Sequence, residues 1–110
     1  MKSKLILMSV LFASTAHAFF YDGNDLLRRL NSDDEVLQMV ALGYVTGVSD
    51  ANKGRTHCMP NNVTTGQLRD MVRNYLNNNP AERHFSAHSI VRAVLASVFP
   101  CEKPSGGRQL

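Results

Sequence analysis

A handful of side chains in this sequence are of types that do chemistry, and their spacing limits what each can do. His84 and His88 stand four apart, the spacing that places two imidazoles on one helix face as metal ligands. Two neutral imidazoles make a weak site on their own, and Glu82 or His57 would have to supply a third ligand. The expectation is no metal, with both rings solvated. His57 precedes Cys58, a base beside a thiol, but adjacent residues rarely bring their side chains into mutual hydrogen-bond geometry. Ser86 and Ser89 lack the strand–turn–helix setting that exposes a nucleophilic serine. No glycine-rich loop follows a strand to cradle a phosphate. The residues therefore point to no catalytic group and no cofactor.

Charge excludes a second class. The 110 residues carry 12 Lys+Arg against 9 Asp+Glu, a formal net charge of +3. Two of the positive charges are Lys2 and Lys4. Without them the balance is 10 against 9, too even for the clustered cations that displace counterions from nucleic acid.

Those two lysines belong to an address. After them comes an apolar run, Leu5 to Ala13, then Ala16-His17-Ala18. A positive start, a short apolar stretch and a small-x-small site describe a secretory leader. The run is about half the ~20 residues a spanning helix needs. Cleavage is expected after Ala18, giving an exported chain that starts at Phe19, is not held in a membrane, and suits a bacterial periplasm.

Cys58 and Cys101 are the only two cysteines. In an oxidising compartment they read as one disulfide, and a pair so widely spaced makes a poor zinc site. Closing a loop of this length stabilises by roughly 4 kcal/mol through the unfolded state. That matters for a chain this short, which buries only about two-thirds of its unfolded surface.

The elements that must position these groups are helical. A short helix is expected over Asn24–Leu30. Ser32 and Glu35 form a capping pattern, with Asp33 and Asp34 where the helix dipole favours negative charge. Val36, Leu37, Val40, Ala41, Tyr44, Val48 and Ala51 then recur at helical spacing up to Lys53-Gly54. Met39, Leu42 and Val45 fall outside that stripe, and Gly43 and Gly47 form a Gly-x-x-x-Gly pair. Each glycine costs about 1 kcal/mol against alanine inside a helix, so close helix approach is expected there. A helix apolar on several faces is either central in a bundle or lies at a subunit interface. Asp50, in the unfavourable last turn, is expected to bond loop amides.

Thr64 and Gln67 form a second capping box before the stripe Leu68, Met71, Val72, Tyr75, Leu76. Asn77-Asn78-Asn79-Pro80 stops that helix, and Pro80, capped by Asn79, is expected to open the last one. Ala87, Ile90, Val91, Val94, Leu95, Val98 and Phe99 share a face, and Pro100 ends it. No segment alternates as a strand does. The fold class is a small all-α, disulfide-stapled bundle of about four helices. It is expected over residues 19–101, between a leader at 1–18 and a disordered tail at 102–110.

Several strings in register resemble a known family. They are Tyr21-Asp22-Gly23-Asn24-Asp25-Leu26-Leu27, Gly43-Tyr44-Val45-Thr46-Gly47-Val48-Ser49-Asp50-Ala51, Cys58-Met59-Pro60, Val63-Thr64-Thr65-Gly66-Gln67-Leu68, Tyr75-Leu76, Pro80 with Arg83, and Phe99-Pro100-Cys101. In this order they are similar to the Rap/Tai family of type VI secretion immunity proteins, over Tyr21 to Cys101. Many members carry a further cysteine pair at positions that here hold Leu30 and Ala41, which puts in doubt how firmly the first helix is held. The resemblance implies a periplasmic, non-enzymatic helical protein, dimeric in many members, that inhibits a peptidoglycan amidase-like toxin by occlusion.

The loops Asn52 to His57 and Asn77 to Arg83 are the expected contacts for such a toxin, on polarity and exposure. They nominate Asn52, Lys53, Arg55, His57, Asn78 and Arg83. The rival expectation is a periplasmic stress or chaperone-like helical protein without an effector partner.

Overall fold

A computed structural model of the chain describes residues 20–102. The expected leader and most of the expected tail lie outside the described residues. The fold is four α-helices: α1 (Gly23–Leu30), α2 (Glu35–Asn52), α3 (Thr65–Asn78) and α4 (Ala87–Val98), with a 3₁₀ turn at Pro80–Glu82. Among the described residues there is no strand, only two isolated bridges, Asp22 with Ser86 and Lys53 with His57. The Cys58–Cys101 disulfide is formed.

Local chemistry sets the helix starts. Asp22 and Asp25 form a reciprocal capping box on α1, and Thr64 and Gln67 form the one expected on α3. The box expected from Ser32 and Glu35 does not form. Asp34 caps α2 through Val36 N at 2.9 Å, and Ser32 Oγ accepts from Asp34 N instead. Two residues of offset decide this, because the cap must directly precede the first helical turn, which starts at Glu35. At the far end α2 stops where expected, with Gly54 at φ +80° turning the chain.

Leu26, Leu27 and Leu30 from α1, Leu68, Val72 and Leu76 from α3, and Ala87, Ile90, Val91, Val94 and Leu95 from α4 close on α2. The surface α2 gives them is narrow: Ala41, Val45 and Ser49. The other three helices all pack on α2 and on one another, so α2 is one wall of the bundle and not a core helix covered all round. Small side chains along its inner line let them approach closely. This corrects the expected stripe. Val36, Leu37, Val40 and Ala51 are exposed, because the apolar spacing there describes an outer face rather than the core. The glycines correct a second expectation. A Cβ built on Gly43 or Gly47 meets nothing within 4 Å, so neither glycine permits a close approach inside the chain.

Gly23 does. A Cβ there would stand 2.7 Å from Ile90 Cδ1 and 2.8 Å from the Arg83 carbonyl oxygen. The segment from Arg83 to Ala87 lies against the start of α1. Gly23 N donates to Phe85 O and Asn24 N to Arg83 O, both at 3.0 Å, while Ala87 N donates to Tyr21 O at 2.7 Å. First-turn amides of α1, which have no partner within their own helix, are met by this turn. That is why the last helix begins at Ala87 and not at Pro80: the intervening carbonyls are already engaged.

Candidate functional site

The nominated contact residues fall at opposite ends of the bundle. Asn52 to His57 follow α2, while Asn78 to Arg83 follow α3, whose 14 residues separate its two ends by about 20 Å. One tip cannot present both sets.

At the α3 end the candidates are structural. Arg83 Nε donates to Leu76 O at 2.7 Å and its Nη2 to Asn77 O at 3.2 Å, so the guanidinium satisfies terminal carbonyls of α3. Tyr75 donates its hydroxyl to Glu82. The carboxylate accepting that bond holds the Tyr75 phenol above its ordinary pKa. Asn78 is exposed. His84 sits in the turn before α4 with its ring 4.1 Å from that of Phe85, while His88 lies in the first turn of the helix. The two therefore do not share a helix face as the spacing suggested. Among the described residues, no three His, Cys, Asp or Glu side chains cluster as a metal site would need.

At the α2 end the loop is built from within. Gly54 N donates to His57 O at 2.8 Å, Arg55 N and Thr56 N both donate to Asn52 O, and Cys58 N donates to Phe99 O at 2.8 Å. These amides use backbone carbonyls, so they leave the exposed Asp50 carboxylate aside, contrary to expectation. The disulfide then joins the loop to the end of α4.

His57, nominated as a surface contact, is 0% exposed. Its Nε2 is 3.5 Å from Ser49 Oγ, while His57 Nδ1 and Thr56 Oγ1 are buried without a partner among the described residues. Burial, then the Lys53 ammonium, pushes the His57 pKa below its ordinary value. This ring is a packing residue and cannot touch a partner. Asn52 is half-buried and spends its amide on Val48 O at 2.7 Å. What remains open is Lys53, whose ammonium donates to Asn61 at 3.2 Å, then Arg55, Pro60, Asn61 and Asn62.

A second surface answers to the apolar excess on α2 that was expected at a bundle centre or a subunit interface. Val36 is 66% exposed, Met39 70%, Val40 44% and Leu37 39%. They continue along the back of α2 into Gly43, Gly47 and Ala51, all exposed. A groove of about 430 Å³ runs between Gly43, Gly47 and Ala51 on one side and His88 and Arg92 of α4 on the other. The sequence signal was present, in a helix apolar on more than one face, but periodicity alone does not say which apolar face is covered.

The described residues thus form a disulfide-stapled four-helix bundle with two open surfaces. The chain belongs to the Rap1a immunity protein family, whose pattern matches residues 22–101. No curated protein matches it. The family assignment carries a toxin-immunity role and a protein toxin as partner.

Proposed function

We propose that this chain is exported, sheds residues 1–18, and acts in the periplasm as a non-enzymatic inhibitor of a cell-wall-degrading toxin. The toxin would be a peptidoglycan amidase-like effector of type VI secretion, blocked by occlusion of its cleft. A homodimer is part of the same reading. The family match across residues 22–101 carries it, joined to the state of the α2–α3 loop. The covalent tie at Cys58 and the buried His57 hold that loop in one conformation, so little further ordering is needed when it enters a cleft. Its outer rim, Arg55 and Pro60 to Asn62, is the inserting edge.

The test is a tagged mature chain expressed in the periplasm, used to capture partners and to protect toxin-sensitive cells. Capture of a cell-wall hydrolase with protection supports the reading; recovery of no hydrolase together with no protection overturns it. Arg55→Glu combined with Asn61→Arg is expected to abolish capture while leaving the thermal midpoint unchanged. Undiminished capture by that variant would move the contact off the loop.

A further inference from the structure

We propose that the groove between α3 and α4 is a binding site for a small molecule bearing a primary ammonium on an aliphatic stem, with Glu82 holding the head. This is independent of the toxin reading. Along their outer edges α3 and α4 leave a gap. Met71 and Tyr75 wall it on one side, Ala93, Ser97 and Val98 on the other, around an apolar space of about 390 Å³. A smaller space of about 150 Å³ continues it past Tyr75 and Ala93, which line both, to Glu82, Phe85 and Ser89. From Ser89 to Val98 the channel follows α4 for about 14 Å.

Charge and volume select the occupant. Glu82 is the one charged residue lining either part of the channel. Its position is fixed by the backbone, since Glu82 N donates to Asn79 O and Phe85 N donates to Glu82 O. Its half-buried carboxylate accepts from the Tyr75 hydroxyl at Oε2 and joins none of the ion pairs among the described residues. The neighbouring Arg83 turns its guanidinium to Leu76 O and Asn77 O instead. A cation from outside would therefore meet an acceptor that no cation of this chain engages. The rings of Tyr75 and of Phe85, 52% exposed, stand beside it and also attract positive charge. The narrow end suits a compact ammonium on a flexible stem better than a planar guanidinium. The stem then lies in the long apolar part, out of water. An anion would meet a carboxylate and no cation anywhere along this channel.

The test is titration of the disulfide-bonded mature chain with n-alkylamines at neutral pH, where they are protonated, followed by amide shifts in NMR. Hexylamine should shift Ser89, Ala93 and Ser97, and octylamine should bind tighter by about fourfold per added methylene. Hexanoate, of opposite charge, should bind at least about tenfold more weakly than hexylamine. Glu82→Gln keeps an acceptor for Tyr75 and should weaken hexylamine by about tenfold or more. Ser97→Leu, at an exposed position, should cancel the gain from hexyl to octyl with the thermal midpoint unchanged. No shift along α4, octylamine no tighter than hexylamine, or undiminished binding by Glu82→Gln overturns the proposal. So does a capped lysine that binds tighter than hexylamine, which would assign the groove to a protein side chain.

Discussion

Where α1 and α4 begin, the bundle is joined by backbone hydrogen bonds: Gly23 and Asn24 amides to the carbonyls of Phe85 and Arg83, and Ala87 to Tyr21. Where α2 and α4 finish, it is joined by one covalent bond, one backbone hydrogen bond from Cys58 to Phe99, and a buried imidazole with an unpartnered nitrogen. The first end derives its strength from fit, since Gly23 leaves no room for even a methyl group. The second tolerates imperfect polar satisfaction because the crosslink acts on the unfolded chain and not through native contacts. Two closures of one small core thus respond to different perturbations.

The largest effect comes from cutting the covalent end. Cys58→Ser with Cys101→Ser should lower stability by about 4 kcal/mol, read by chemical denaturation. In that variant the amide at position 58 should exchange with deuterium well before those of Gly23 and Asn24; equal rates would mean the two ends open as one. Breaking the fitted end costs less. Gly23→Ala should destabilise by about 2 to 3 kcal/mol through overpacking against Ile90 and Arg83, and a change near zero would show that the turn yields. Arg83→Met, which leaves the Leu76 and Asn77 carbonyls without their donor, should cost about 1 to 2 kcal/mol.

The smallest effect is in pH, and it belongs to the stapled end alone. The folded chain holds His57 neutral, with a pKa below the 6.5 of an unburied imidazole. The unfolded chain takes up that proton first, so stability is full above about 6.5 and declines as pH falls towards the lowered folded value. His57→Gln should flatten this part of the pH–stability curve. A slope that survives the substitution assigns it to another group.

The two ends were unequally legible in the sequence. Helix α3 could be read almost complete, since Thr64 and Gln67 are a local device and its stripe faces one core. The crosslink followed from there being two cysteines and no other pairing. Gly23 drew attention only within a family string, because the need for glycine comes from Arg83, sixty residues away in the chain. His57 in a polar loop carries no local mark of burial; only the docking of Cys58 onto α4 draws it inward. The stripe on α2 was real but its meaning was inverted at Val36, Val40 and Ala51, since hydrophobic spacing is the same whether a face is covered by its own chain or left open. Leu30 and Ala41, where the resemblance led to the expectation of a further cysteine pair, are both buried in the core, and Arg73 holds the end of α1 by donating to Leu30 O at 3.1 Å. The first helix is therefore anchored without a second bridge.

The position of the crosslink also decides how the protein would yield to tension. A pull applied at its two extremities passes along the backbone to Cys58, then crosses the sulfur–sulfur bond directly to Cys101. Everything between those two residues, α3 and α4 included, is shunted out of the line of force. Stretching would peel α1 and α2 away and leave a closed ring of two helices unloaded.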